Sequence, residues 1–322
     1  MAGVAALILL TLSSLAHGSN PLTYTEVWEG LWARDTSQSS LIVWELRGPR
    51  TVIAIVVGAA FGVAGALIQA LTRNPLADPG ILGVNAGAGF AVTLGVGLFG
   101  VSGITGYIWF AFLGAAVATL LVYVIGSAGR GFTSPVTLVL AGVALAAVLN
   151  GFSTSLTLID PDTFRSIRNW GLGSVARTSL EDAAAVLPFL LAGLLLAGLL
   201  SGALNSIALG DDLAASLGTR VMRTRVLGII AVTLLAGGAT ALTGGIAFLG
   251  LMVPHVVRWF VGPDQRWITL CSALAAPVLV LAADVLGRVI ARPGEIEVGI
   301  LIAVVGAPVL IALARRRKAS GL

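Results

Sequence analysis

LRGPRTVIAIVVGAAFGVAGALIQALTRNPLADPGILGVNAGAG (46–89) decides the fold. Residues 51–72 and 80–100 are two apolar runs without a charged side chain. A helix needs roughly 20 apolar residues to cross a ~30 Å hydrocarbon core, so each run reads as a membrane span. Between them, RNPLADPG breaks the pattern. Proline disfavours helical geometry in the residue before it, so Asn74-Pro75 ends the first helix. Asp78 can cap the next, with Pro79 as its first residue. Polar backbone at membrane depth is tolerated only where protein or a water-filled cavity covers it.

The rest of the chain fits the same reading. Of 322 residues, 57% are hydrophobic and 11% charged, against about 25% charged in a soluble domain; the mean hydropathy is +1.00. The fold class is all-α, a polytopic membrane protein of a single domain over 1–322. The +4 charge is scattered between apolar runs with no basic face, so a nucleic-acid partner is excluded. One cysteine, Cys271, permits no disulfide framework or cysteine metal cage, and His17 and His255 stand far apart. No metal site is expected. Residues 1–18 could be a signal peptide but lack its positive start. They are expected to form a first span, cut short at its beginning.

Apolar runs fall near 1–17, 51–72, 80–100, 106–126, 134–158, 183–204, 226–243, 246–260, 267–290 and 296–314, ten in all. Gly244-Gly245 splits the seventh from a short eighth. An even number puts both termini on one side, and the basic tail ARRRKASGL (314–322) makes that side cytoplasmic. Eleven basic residues then lie inside against eight outside, a weak bias. Gly58/Gly62, Gly83/Gly87 and Gly198/Gly202 repeat at four-residue spacing, which suits either a dimer seam or close packing within the bundle.

No nucleotide loop, nucleophile elbow or zinc-protease signature occurs. Asp284 is the one ionisable residue well inside a span, four before Arg288, and an i,i+4 pair is the expected explanation. Two segments look exposed. LNSIALGDDLAASLGTRVMRTR (204–225) reads as two short amphipathic helices, which would either lie on lipid or insert into a partner's groove. WELRGPR (44–50) presents Arg47 and Arg50 around a stiff Gly-Pro, as an outward docking site for carboxylates or as snorkelling side chains.

Residues 46–89, LNSIALGDDLAASLG, GGIAFLGLMVPHVVRWFVGPDQR (244–266) and GRVIARPGEIEVGILIAVVGAPVLIALA (287–314) together resemble the permease family that imports iron–siderophore chelates, haem and cobalamin with an ATP-binding cassette. The resemblance implies a ten-span subunit that dimerises, with a second copy or a paralogue, around a central pathway in the bacterial cytoplasmic membrane. A cytoplasmic ATPase pair supplies ATP and Mg²⁺ chemistry, an extracytoplasmic binding protein docks outside, and this chain binds no cofactor. It makes 204–225 the coupling element, with Gly210, Asp211, Leu213, Ala214, Leu217 and Gly218 at the ATPase. Arg47, Arg50 and Arg288, with Arg292 as a fourth, would meet acidic residues of the binding protein. Asn74 and Leu76 would gate the inner mouth, and Asn85 either opens the third span toward the pathway or sits in a plain turn. A second gate element is expected at the start of the fifth span, GFTSPVTLVLAGVAL (131–145). There Thr133 and Ser134 precede Pro135 and Val136, where family members often carry small hydroxyl residues. The loop DPDTFRSIRNWGLGSV (160–175) resembles siderophore members most, so iron–siderophore is the expected cargo, ahead of cobalamin or haem. A passive channel or ion-coupled carrier is the rival from another class.

Overall fold

A computed structural model of the chain describes residues 1–18, 22–101, 103–127, 135–159, 167 and 170–315, and among them every regular element is helical. The spans are α1 (Ala2–Ala16), α4 (Gly48–Thr72), α5 (Val84–Phe99), α6 (Ile104–Ser127), α7 (Pro135–Ile159), α8 (Leu180–Ala208), the pair α10 (Val221–Val232) and α11 (Gly238–Thr243), then α12 (Leu249–Val261), α13 (Gln265–Ile290) and α14 (Val298–Arg315). Outside them lie α2 (Tyr24–Ala33), α3 (Gln38–Leu41) and α9 (Asp211–Ser216). Among the described residues, six helical segments are long and apolar enough to cross a bilayer, and four shorter apolar helices complete the ten.

α4 is the axle of the bundle. It is apolar on every side, as a helix enclosed by others must be, and nearly all of it from Ile53 to Thr72 is buried. Gly58 and Gly62 let it close onto Pro277, Ala276 and Ser272 of α13. Gly87 does the same for α5 against Gly114 of α6. These two four-residue repeats are therefore packing seams within one chain, while Gly198 faces open space. Through α3 and a π-helical turn at Ile42–Arg47, α4 belongs to one 35-residue rod, Gln38–Thr72. At 1.5 Å per residue the rod is about 52 Å long and must project well beyond the hydrocarbon.

The two chain breaks do more than turn the backbone. After Arg73 (φ 49°) the strap 74–83 does not stay at the end of the bundle. Gly65, about 10 Å inward from the end of α4, meets Gly250, and Gly250 abuts Pro79. The strap thus re-enters the bundle and α5 starts inside it, which is why α5 has only 16 residues. Likewise α11 stops at Gly244 (φ 73°), and the non-helical link 244–248 leads into the 13-residue α12. A helix that ends inside the bundle leaves carbonyls without partners. Here residues 170–178 supply them: the Thr178 hydroxyl donates to the Leu242 carbonyl (2.6 Å), and the Ser174 N–H to that of Thr243 (2.7 Å). Of the loop 160–175, residues 160–166, 168 and 169 lie outside the described residues.

The segment 204–225 differs from two separate short helices. Residues 204–208 are the last turn of the 29-residue α8 and 221–225 the first of α10, so only α9 stands apart. Gly210 (φ 108°) and Gly218 (φ 85°) bracket it, both in backbone conformations that a side chain would strain.

Candidate functional site

Three clusters collect the residues singled out in the sequence. At the end of the bundle that carries α9, Leu213 and Leu217 are 50% and 62% exposed, and Leu209 and Met222 extend the same apolar knob. Ala214 is fully buried and anchors α9 rather than contacting anything outside. Asp211 turns back to Arg225 of α10 (2.9 Å) and lies 3.9 Å from Arg73. The Asn205 amide donates to Asp264 (2.8 Å) and its oxygen accepts from the Gln265 N–H (2.8 Å), which ties the end of α8 to the start of α13. Leucines on so braced a helix form a rigid protrusion.

The strap is the second cluster. The Asn74 side chain accepts from the Leu76 N–H (2.9 Å), which closes a turn on itself, and both residues are half-buried. Asp78 accepts from the Gly80 N–H (2.8 Å), the cap expected from the sequence. Gln69, fully buried in α4, donates to the Leu251 carbonyl (2.9 Å) and so pins the strap's surroundings to α12. Asn85 accepts from the Thr240 hydroxyl (2.9 Å) and abuts Gly245, so it joins α5 to α11 beside the second break and is no plain turn residue. Thr133 and Ser134 lie outside the described residues; Pro135 opens α7.

The arginines form the third cluster, at the opposite end, and here the sequence expectation is corrected. Arg47, Arg50 and Arg288 are not presented outward; their side chains turn into the bundle. The Arg50 guanidinium grips Asp284 through Nε (2.9 Å) and Nη2 (2.7 Å), and its Nη1 reaches Glu295 (2.6 Å). Arg288, 2% exposed, pairs with Asp284 (2.8 Å) and donates to the carbonyls of Ser14 and His17 (3.0 Å each). Arg47 donates to the Leu15 carbonyl (2.6 Å). Those carbonyls are the unpaired end of α1, so two arginines cap the first span where cations also suit the helix dipole. The i,i+4 pair of Asp284 with Arg288 is present as expected, yet Asp284 also holds Arg50 from 234 residues away. For Arg50 and Arg288 the reason for the inward turn is that carboxylate, because a buried arginine needs a paired charge. Among the described residues, the exposed arginines at this end are Arg34, Arg177 and Arg292. Beside the cluster opens a cleft of about 770 Å³ lined by Trp44, Glu45, Arg50, Glu181 and Glu295, among others.

The model of the FecCD transport family matches residues 6–316. This chain belongs to the FecCD transport family. Among FecCD relatives, the ferric enterobactin transport system permease protein FepD of Escherichia coli is 50% identical over 98% of this chain and 94% of its own length. The probable siderophore transport system permease protein YfiZ of Bacillus subtilis is 36% identical over 96% and 93%. A solved structure described as a metal-chelate type ABC transporter, in an inward-facing conformation, aligns with a TM-score of 0.84 at 27% identity over 98% of this chain and 97% of that one. In this FecCD protein the sequence reading missed Gln69, Thr240, Asn205 and Ser14. Each is a small or amide polar residue within a largely apolar stretch whose partner lies on a distant element, so no local spacing marks it.

Proposed function

We propose that this chain is the membrane-spanning permease subunit of an ATP-binding-cassette importer for iron(III)–siderophore complexes. The observation that carries the reading is 50% identity to FepD across almost the whole of both chains. The end bearing α9 and both termini faces the cytoplasm. There the knob of Leu213 and Leu217, with Gly210, Asp211 and Gly218 shaping it, fits the groove of a separate ATPase, where ATP and Mg²⁺ are used. A second copy or a paralogue completes a central pathway. α7 supports this: among the long spans it is the least covered, and Asn150, Thr154 and Ser155 are exposed on it. Polar groups on a membrane helix belong at a protein interface or a water-filled cavity rather than in lipid.

This chain then performs no covalent step. Closure of the ATPase pair moves α9 with α8 and α10; the strap with Asn74 and Leu76 lies next to that frame, within reach of Asp211 through Arg73. The far end receives a binding protein that delivers the chelate and holds most of the affinity for it. The test is a mild-detergent purification from the native membrane followed by mass spectrometry. An ATP-binding-cassette ATPase in roughly equal amount is expected, and a second permease beside it would make the pair a heterodimer. Folded permease without an ATPase in several detergents would overturn the importer reading.

A further inference from the structure

A guanidinium has five N–H donors in a planar fork, so how Arg50 distributes them decides what it can still bind. Its Nε and Nη2 edge is committed to Asp284, at 2.9 and 2.7 Å. Asp284 is 1% exposed and holds Arg288 as well, so it cannot leave without stranding two buried cations. Arg288 is in turn committed to Ser14 and His17, and Arg47 to Leu15. The Nη1 edge of Arg50 differs. It borders the open 770 Å³ cleft, and its partner there, Glu295, sits at the surface on the link between α13 and α14, with 35% of its side chain exposed.

We infer that Glu295 occupies on Arg50 the position of an incoming carboxylate, and that a glutamate or aspartate projecting from the binding protein into this cleft displaces it when the two proteins dock. The inference rests on the reading of Arg50 as a docking residue, and it narrows that reading. Of the three arginines expected to dock, Arg50 offers the exchangeable edge, while Arg47 and Arg288 position the end of α1. Exchange of one carboxylate for another keeps the number of charge-assisted hydrogen bonds constant. Asp284 holds the fork still throughout. The partner's net gain is then the docking bond less the internal one, so Glu295 weakens docking rather than assisting it.

That sign makes the inference testable. The assembled importer in lipid nanodiscs is titrated with the binding protein of its own transport system, as native protein, Glu295→Gln, Arg50→Gln and the double variant. Glu295→Gln should tighten docking about twofold to fivefold, the worth of a partly exposed ion pair, and the gain should vanish in the Arg50→Gln background. Glu295→Asp, with a shorter reach, should act in the same direction and serves if the glutamine variant misfolds. Unchanged or weaker docking in folded Glu295 variants overturns the exchange. Native-like docking by folded Arg50→Gln overturns the docking role of Arg50 itself, a separate failure.

Discussion

Individual residues carry large consequences here because so many act at contacts between backbones or between buried charges. A methyl group on Gly65 would overlap the Gly250 carbonyl, where α4 and α12 touch. Gly65→Ala should therefore cost about 1–3 kcal/mol or more from overpacking and lower the unfolding temperature in detergent, while Gly89→Ala, with open space around it, should not. Asp284→Asn leaves Arg50 and Arg288 without their shared counter-charge, a loss of about 3–5 kcal/mol for a broken buried pair, read as reduced folded yield and a lower unfolding temperature.

At the scale of elements, α9 and α7 divide the functional surfaces. Leu217→Glu places a charge on the exposed residue that ends α9 and should leave folding intact while abolishing ATPase co-purification. Retention of the ATPase at native levels would remove α9 from the contact. In a chain with Cys271 replaced by serine, Thr154→Cys on α7 should react with a membrane-impermeant, water-soluble thiol reagent, and Leu195→Cys on the exposed apolar side of α8 should not. Equal labelling of both would place α7 outside the pathway. The elements themselves were largely legible in the sequence. Apolar runs of about 20 residues and the Gly244-Gly245 break report local hydropathy and backbone freedom, which no distant contact has to supply. The extent of α9 was not legible: Ile207 and Val221 continue its apolar spacing, yet they belong to the helices on either side, and only the glycines at 210 and 218 mark the true ends.

For the whole molecule, the lengths of the apolar runs and the positions of proline and glycine are enough to specify a ten-span helical bundle and the place of each break, and the motifs specify the family. Hydropathy, proline and glycine act within a few residues, so those features are written where they operate. Tertiary structure alone decided the depth of the strap, the junction of Asn85 with Thr240, and the direction of the arginines. Read alone, WELRGPR looks like an exposed basic loop. In the folded chain, α13 brings Asp284 beneath it and α1 offers its bare carbonyls. Leaving a buried carboxylate and a helix end unpaired would cost more than turning the arginines inward. That balance depends on groups more than 200 residues apart, and only the packed bundle brings them together.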